Sequence, residues 1–278
     1  MGPSVITAAE LADRLANRER DKPKPLVAQV TSPEAYAAGH VPGAVHVGPG
    51  DLVSGIPPAT GRLPNGDALT TLFRRIGYTH GTEVVTLDDE GGGWAGRLAW
   101  TLDIIGNRTW RYLDGGLAAW VAAGLPIDRA PVDVTPSDVE ITVDTGPIAE
   151  AEDIIPRLQD RDLVIWDCRS AGEFAGHRRA AVRVGHIPGA VNLDWLEVMD
   201  GERNLCLVED LEALLAKKGI VPERDVITHC QTHHRSGLTY MAARLLGFPR
   251  IRAYHGSWSE WGNRMDTPVQ TGPGSTRP

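Results

Sequence analysis

The chain has 278 residues, 42% of them hydrophobic and 23% charged, which fits a globular chain of about two domains and excludes disorder. No apolar run reaches the roughly 18–20 residues of a transmembrane helix, and no basic segment leads into an apolar one at the start, so export is not expected. A net charge of −8 argues against broad nucleic-acid binding, and three cysteines are too few for a disulfide framework, so a reducing cytoplasm is the expected location.

Taken in chain order, the sequence is written twice. GHVPGA at 39–44 returns as GHIPGA at 185–190. LTTLFRRIGYTHGTEVV at 69–85 matches LEALLAKKGIVPERDVI at 211–227, and the segment ending in GGLAAW at Trp120 matches the one ending in GSWSEW at Trp261. Three markers in one order define a tandem of two similar domains, 1–128 and 148–271. The proline-bearing polar stretch 129–147 reads as a linker, and 272–278 as a flexible tail.

Within the second copy, LVIWD at 163–167 predicts a buried strand and AVNLDW a further short extended piece. DLEALLAKKG places Leu211, Leu214 and Leu215 on one helix face, with Gly219 as its C-cap. DVITHC is again strand-like, SGLTYMAARLLG helical with Gly247 as its stop, and IRAYHG a last strand. Strands separated by helices predict α/β domains, each with a mainly parallel sheet flanked by helices.

The segment HCQTHHRSG at 229–237 lies between a predicted strand and a predicted helix. Beyond the carboxyl end of a parallel strand, loop amides and a helix N-terminus attract anions, so Cys230 sits where thiolate is favoured, with Arg235 adding positive charge. A zinc site would need a second ligand cluster, and none has the spacing. A Cys–His protease would need a base from elsewhere in the fold, and no such signature surrounds the cysteine. A cysteine phosphatase places five residues between its cysteine and arginine; here four separate Cys230 from Arg235, a cradle that suits sulfur better than a phosphoryl group.

The first copy reads DDEGGGWAGR at this point, with Asp88 or Asp89 opposite Cys230 according to the direction of counting, so that domain is expected to be silent. A second difference is the spacing before the GHxPGA motif: two residues separate Tyr36 from Gly39, but ten separate Phe174 from Gly185. The longer spacing carries Arg178, Arg179 and Arg183, an expected basic rim near Cys230 for an anionic substrate.

These residues together resemble the tandem-domain rhodaneses, the thiosulfate:cyanide sulfurtransferases. The resemblance runs over nearly the whole chain, through the two GHxPGA motifs, the DxRS at 167–170, the first-copy aspartate and GSWSEWGN, and CQTHHR is similar to the loop of a bacterial subgroup. It implies two rhodanese-like domains, of which 148–271 is catalytic, and a ping-pong reaction through a Cys230 persulfide. Arg235 then supplies charge for the donor or for sulfite, and Gln231, Thr232, His233, His234 and Ser236 contribute chiefly backbone amides. Trp195 resembles a position that walls the site.

The implied partners are a small anionic sulfur donor, a thiophilic acceptor such as cyanide and, alternatively, a protein sulfur acceptor; no cofactor, metal, nucleic acid or membrane is implied. Where mammalian-type enzymes place cations after the cysteine and an arginine after DxRS, this chain has Gln231, Thr232 and Glu173, and the CGSGVT of the mercaptopyruvate branch is absent. A persulfide carrier, a 3-mercaptopyruvate sulfurtransferase and a small-anion cysteine phosphatase are the alternatives. Asp167 and Arg169 read as a structural ion pair, His40 and His186 as loop anchors, and Cys168 and Cys206 as structural cysteines.

Overall fold

A computed structural model describes residues 2–16 and 24–274; residues 275–278 of the expected tail lie outside that range. Within it, Gly272 is held by a hydrogen bond from its amide to the Ala175 carbonyl at 3.0 Å. Contacts divide the chain into two compact units that are not continuous in sequence. Unit 1 comprises Met1–Leu52, Pro64–Asp144 and Met199–Leu207, and unit 2 comprises Val53–Leu63, Thr145–Val198 and Val208–Pro278. Each unit therefore takes in a segment written in the other copy of the repeat.

Unit 1 contains β1 (Ser4–Ile6), α1 (Ala8–Leu15), β2 (Leu26–Val30), α2 (Pro33–Ala38), β3 (Val45–Val47), α3 (Gly66–Arg75), β4 (Val84–Asp88), α4 (Gly93–Ile104), β5 (Arg111–Leu113) and α5 (Gly116–Ala122). Its sheet runs β1-β5-β4-β2-β3 with every pairing parallel. The central strand β4 is buried along its whole length, as a parallel strand covered on both faces must be. Helix α1 starts at a capping box in which Thr7 and Glu10 satisfy each other's backbone amides. The segment 129–144 has no helix or strand and lies along α3, with the Ser137 amide on the Arg74 carbonyl at 3.0 Å.

Unit 2 contains β6 (Ile148–Ala149), α6 (Ala151–Ile154), β7 (Leu163–Asp167), α7 (Ala171–Phe174) and β8 (Val191–Asn192). The hairpin β9 (Met199–Asp200) and β10 (Cys206–Leu207) belongs to unit 1. Unit 2 resumes with α8 (Leu211–Ala216), β11 (Asp225–His229), α9 (Arg235–Leu245), β12 (Ile251–Tyr254) and α10 (Ser257–Trp261). Its sheet order, β6-β12-β11-β7-β8, repeats that of unit 1 place by place, again all parallel. Leu163, Ile165, Ile227, Tyr254, Trp258 and Trp261 form the core under the central strands.

The GHxPGA motifs do the same work in both units. His40 stacks on Tyr36 at 3.9 Å and bonds its carbonyl through Nδ1; His186 stacks on Phe174 at 3.7 Å and does likewise. Both histidines are buried and fix the turn to a backbone bridge, at Asp128 and Gln270 respectively. Among the described residues no helix is long and apolar enough to cross a membrane.

Candidate active site

Cys230 is the first residue beyond β11, the middle strand of the unit 2 sheet, and only 1% of it is exposed. Its loop is fastened from below by the turn into α10. The Trp258 amide donates to the Cys230 carbonyl at 3.0 Å and the Ser259 amide to the Gln231 carbonyl at 2.9 Å. The Cys230 amide donates to Ser257 Oγ at 3.4 Å, and Ser257 itself has a left-handed backbone, φ +53°. With these carbonyls tied down, a left-handed His233 (φ +57°) reverses the chain before α9, the alternation that makes an anion nest. His233 is buried, and its Nδ1 meets Ser236 Oγ at 2.7 Å.

The electrostatics follow from this placement. Burial alone would raise the Cys230 pKa, but the Cys168 thiol, the Arg235 charge and the hydroxyl and amide of Ser236 all favour thiolate and hold it well below the usual thiol range. Arg235 is not free to act as an unscreened charge: its Nη1 and Nη2 donate to the two Glu173 oxygens at 2.8 and 2.9 Å. Against the effect of burial, that pairing and Ser170 pull the Glu173 carboxyl down to about 2. Asp167 and Arg169 lie behind the loop as a fully buried pair, with Nε–Oδ1 at 2.9 Å, and Arg169 also caps the Gly185 carbonyl and lies over Trp258.

The remaining loop residues have separate duties. Gln231 Nε2 donates to the Ala180 carbonyl at 2.9 Å, tying the loop to the 177–184 insertion. The His234 ring faces Trp195 at 5.6 Å, and the Trp195 amide bonds the Cys168 carbonyl at 3.1 Å, so the half-buried indole stands beside the loop. The expected basic rim is reduced: Arg183 bonds the carbonyls of Thr267 at 2.6 Å and Trp261 at 2.7 Å and so closes the insertion onto α10. Arg178 and Arg179 stay exposed, the latter on the Val182 carbonyl. Among the described residues no group of three His, Cys, Asp or Glu side chains could hold a metal ion.

The corresponding loop of unit 1 is filled by its own carboxylate. Asp88 ends β4 and accepts from the amides of Gly92, Trp94 and Ala95 at 2.8, 2.9 and 3.0 Å, with Glu90 at 3.3 Å. Burial outweighs these bonds and pushes its pKa up to about 6. The strand pairings Val30↔Asp88 and Asp167↔His229 settle the register: Asp89 stands where Cys230 stands, and Thr31 where Cys168 stands.

Four further residues complete the unit 2 site. Cys168 lies against Cys230 as its hydrogen-bond partner. Glu173 neutralises Arg235, and Ser257 supports the Cys230 amide. Gly61, from the first copy of the repeat, packs so tightly that a Cβ there would lie 1.8 Å from the Thr232 carbonyl oxygen. Its segment is held by Arg62 on Glu150 and Glu260 and by the Leu63 amide on His255. The glycine in TGRLP was the only signal available, and nothing in its neighbourhood says what it approaches.

Comparison with known proteins agrees with this architecture. The rhodanese-like domain model matches residues 7–123 and again 150–264. The thiosulfate sulfurtransferases of Azotobacter vinelandii and Pseudomonas aeruginosa are each 44% identical over 268 residues, covering 96% of this chain and 97% of theirs. Among solved structures, the anaerobic ergothioneine biosynthesis enzyme from Chlorobium limicola, in complex with trimethyl histidine, aligns with a TM-score of 0.86. At 24% identity, over 96% of this chain and 70% of that one, this is a likeness of fold.

Proposed function

Since the chain belongs to the rhodanese-like family, we propose that it is a sulfurtransferase that takes sulfane sulfur from thiosulfate onto Cys230 and gives it to cyanide or another thiophile. The observation that carries this reading is Cys230 buried at the strand-to-helix loop beyond β11, where Cys168, Arg235 and Ser236 all favour its thiolate.

The Cys230 thiolate attacks the outer sulfur of thiosulfate; the S–S bond of the donor breaks and sulfite leaves with its electron pair. The charge then rests on the terminal sulfur of the persulfide, where the loop amides and Ser236 stabilise it. Cyanide attacks that sulfur, thiocyanate departs, and the thiolate is restored. In this reading Gln231, Thr232, His233, His234 and Ser236 shape the nest, Arg235 adds charge tempered by Glu173, and Trp195 limits the access of water. The cytoplasm suits a working site that must remain reduced between turnovers.

Intact-mass measurement tests the reading. Incubation with thiosulfate adds one sulfur atom to the wild type and none to Cys230→Ala, and the variant loses all thiocyanate formation. An unloaded wild type that instead hydrolyses phosphate esters would overturn it in favour of a cysteine phosphatase.

A further inference from the structure

The reaction above uses one cysteine, yet the site holds two. β7 and β11 pair in parallel with Asp167 opposite His229, and the Cys168 amide donates to the His229 carbonyl at 3.0 Å, so Cys168 and Cys230 are the next residues on adjacent strand ends. Neighbouring strands lie about 4.8 Å apart. That spacing falls inside the roughly 4.4–6.8 Å between Cα atoms that a disulfide spans. Unit 1 shows which way these two side chains point, because at the equivalent positions Thr31 Oγ1 donates to Asp89 Oδ2 at 2.9 Å. Both cysteines are buried and neither is in a disulfide, while Cys206 belongs to the other unit.

We propose that Cys168 is a resolving thiol: when no acceptor arrives, it attacks Cys230 Sγ of the persulfide, forming a Cys168–Cys230 disulfide and expelling the terminal sulfur as hydrosulfide. The inference rests on the persulfide reading above. The new Sγ–Sγ bond forms as the bond between Cys230 Sγ and the sulfane sulfur breaks, and the Cys168 proton leaves with the sulfide. The sulfane sulfur gains two electrons and the two cysteine sulfurs lose two, so the step needs no outside oxidant. Burial and the neighbouring thiolate keep Cys168 protonated in the unloaded enzyme, which makes it a donor to Cys230 first and a nucleophile only after the charge has moved to the terminal sulfur. The disulfide form takes no sulfur until a dithiol reduces it. A loaded site that meets no acceptor thus closes itself and releases sulfide.

The experiment loads wild type, Cys168→Ala, Cys168→Ser and Cys206→Ser with thiosulfate under anaerobic conditions, removes excess donor and follows intact mass and free sulfide. Wild type and Cys206→Ser are expected to lose the added sulfur, release one equivalent of sulfide per chain and become two hydrogens lighter than the reduced protein. Their non-reducing peptide maps should link Cys168 to Cys230, and dithiothreitol should restore both thiols. Both Cys168 variants should keep the sulfur at least about tenfold longer, because the resolving thiol is gone. A wild type that keeps its sulfur as long as the variants, or loses it without the lighter species, overturns the proposal. Loading with inorganic polysulfide bypasses the donor: if only polysulfide loads, the thiosulfate reading falls and resolution is still measured, whereas a chain that neither reagent loads loses both.

Discussion

The same strand–loop–helix turn appears in both units with opposite contents. In unit 1 four amides close on the Asp88 carboxylate, so the anion that satisfies the nest is part of the chain. In unit 2 the strand-end position is a buried histidine turned towards Asp167, and the next residue is the Cys230 thiolate. The fold builds the same loop twice: in unit 1 the strand-end carboxylate fills it, and in unit 2 it holds a buried cysteine. The neighbouring pair makes the same point: Thr31 with Asp89 is a fixed hydrogen bond, whereas Cys168 with Cys230 is two sulfurs capable of exchange.

The sharpest way to break this comparison is at Gly61. Gly61→Ala puts a methyl group onto the Thr232 carbonyl and forces the loop to shift. A misplacement of that size lowers kcat/KM by about ten- to a hundredfold, and the clash with backbone lowers the melting temperature as well. Initial rates beside a circular-dichroism melt check it, and unchanged rates would show that the segment only decorates the site.

Glu173→Gln keeps the capping geometry at the start of α7 but removes the charge that offsets Arg235. The KM for thiosulfate should fall about three- to tenfold, because the largely buried Arg235, no longer neutralised, regains its attraction for the anion. A KM that rises instead would mean that Glu173 positions Arg235 rather than quenching it.

Asp88 carries a pH signature. Its folded pKa of about 6 lies above the unfolded value of 3.8, so the folded chain holds the proton longer. Its contribution is complete below about pH 4 and is lost as pH rises to about 6, some 3 kcal/mol at most. In Asp88→Asn that fall should disappear, seen as a smaller difference in melting temperature between pH 4 and pH 7.5; an undiminished difference would assign the fall to other groups.

The smallest expected effect is none. Asp89→Cys restores the cysteine to unit 1, but Asp88 still fills the nest, so in a Cys230→Ala background thiosulfate should add no sulfur. A loaded chain would show that the nest admits sulfur beside a carboxylate.

Much of this was legible in the sequence because duplication and parallel strands leave local marks: two GHxPGA turns, apolar runs at the strands, and a cysteine between a strand and a helix. The parallel sheets and the tandem of rhodanese-like domains follow from those marks. What escaped depends on distant partners. Cys168 follows an apolar strand and read as structural, since its neighbour is set by the β7–β11 register. Arg183 read as a substrate-facing cation, but the carbonyls it binds lie on the far side of α9 in sequence. The one-residue ambiguity between Asp88 and Asp89 was real at the sequence level and needed strand pairing to resolve.

The segment Val53–Leu63, written in the first copy but built into unit 2, means that the boundaries of the repeat and those of the compact units do not coincide. A single cut in the stretch between the repeats does not leave unit 2 whole. It deprives the cysteine-bearing half of Arg62, which grips Glu150 and Glu260, and of the glycine that backs the loop. The first copy thus supplies part of unit 2. Any minimal version of this enzyme must be assembled from two pieces of chain, or rewired so that the borrowed strap is encoded beside the site it serves.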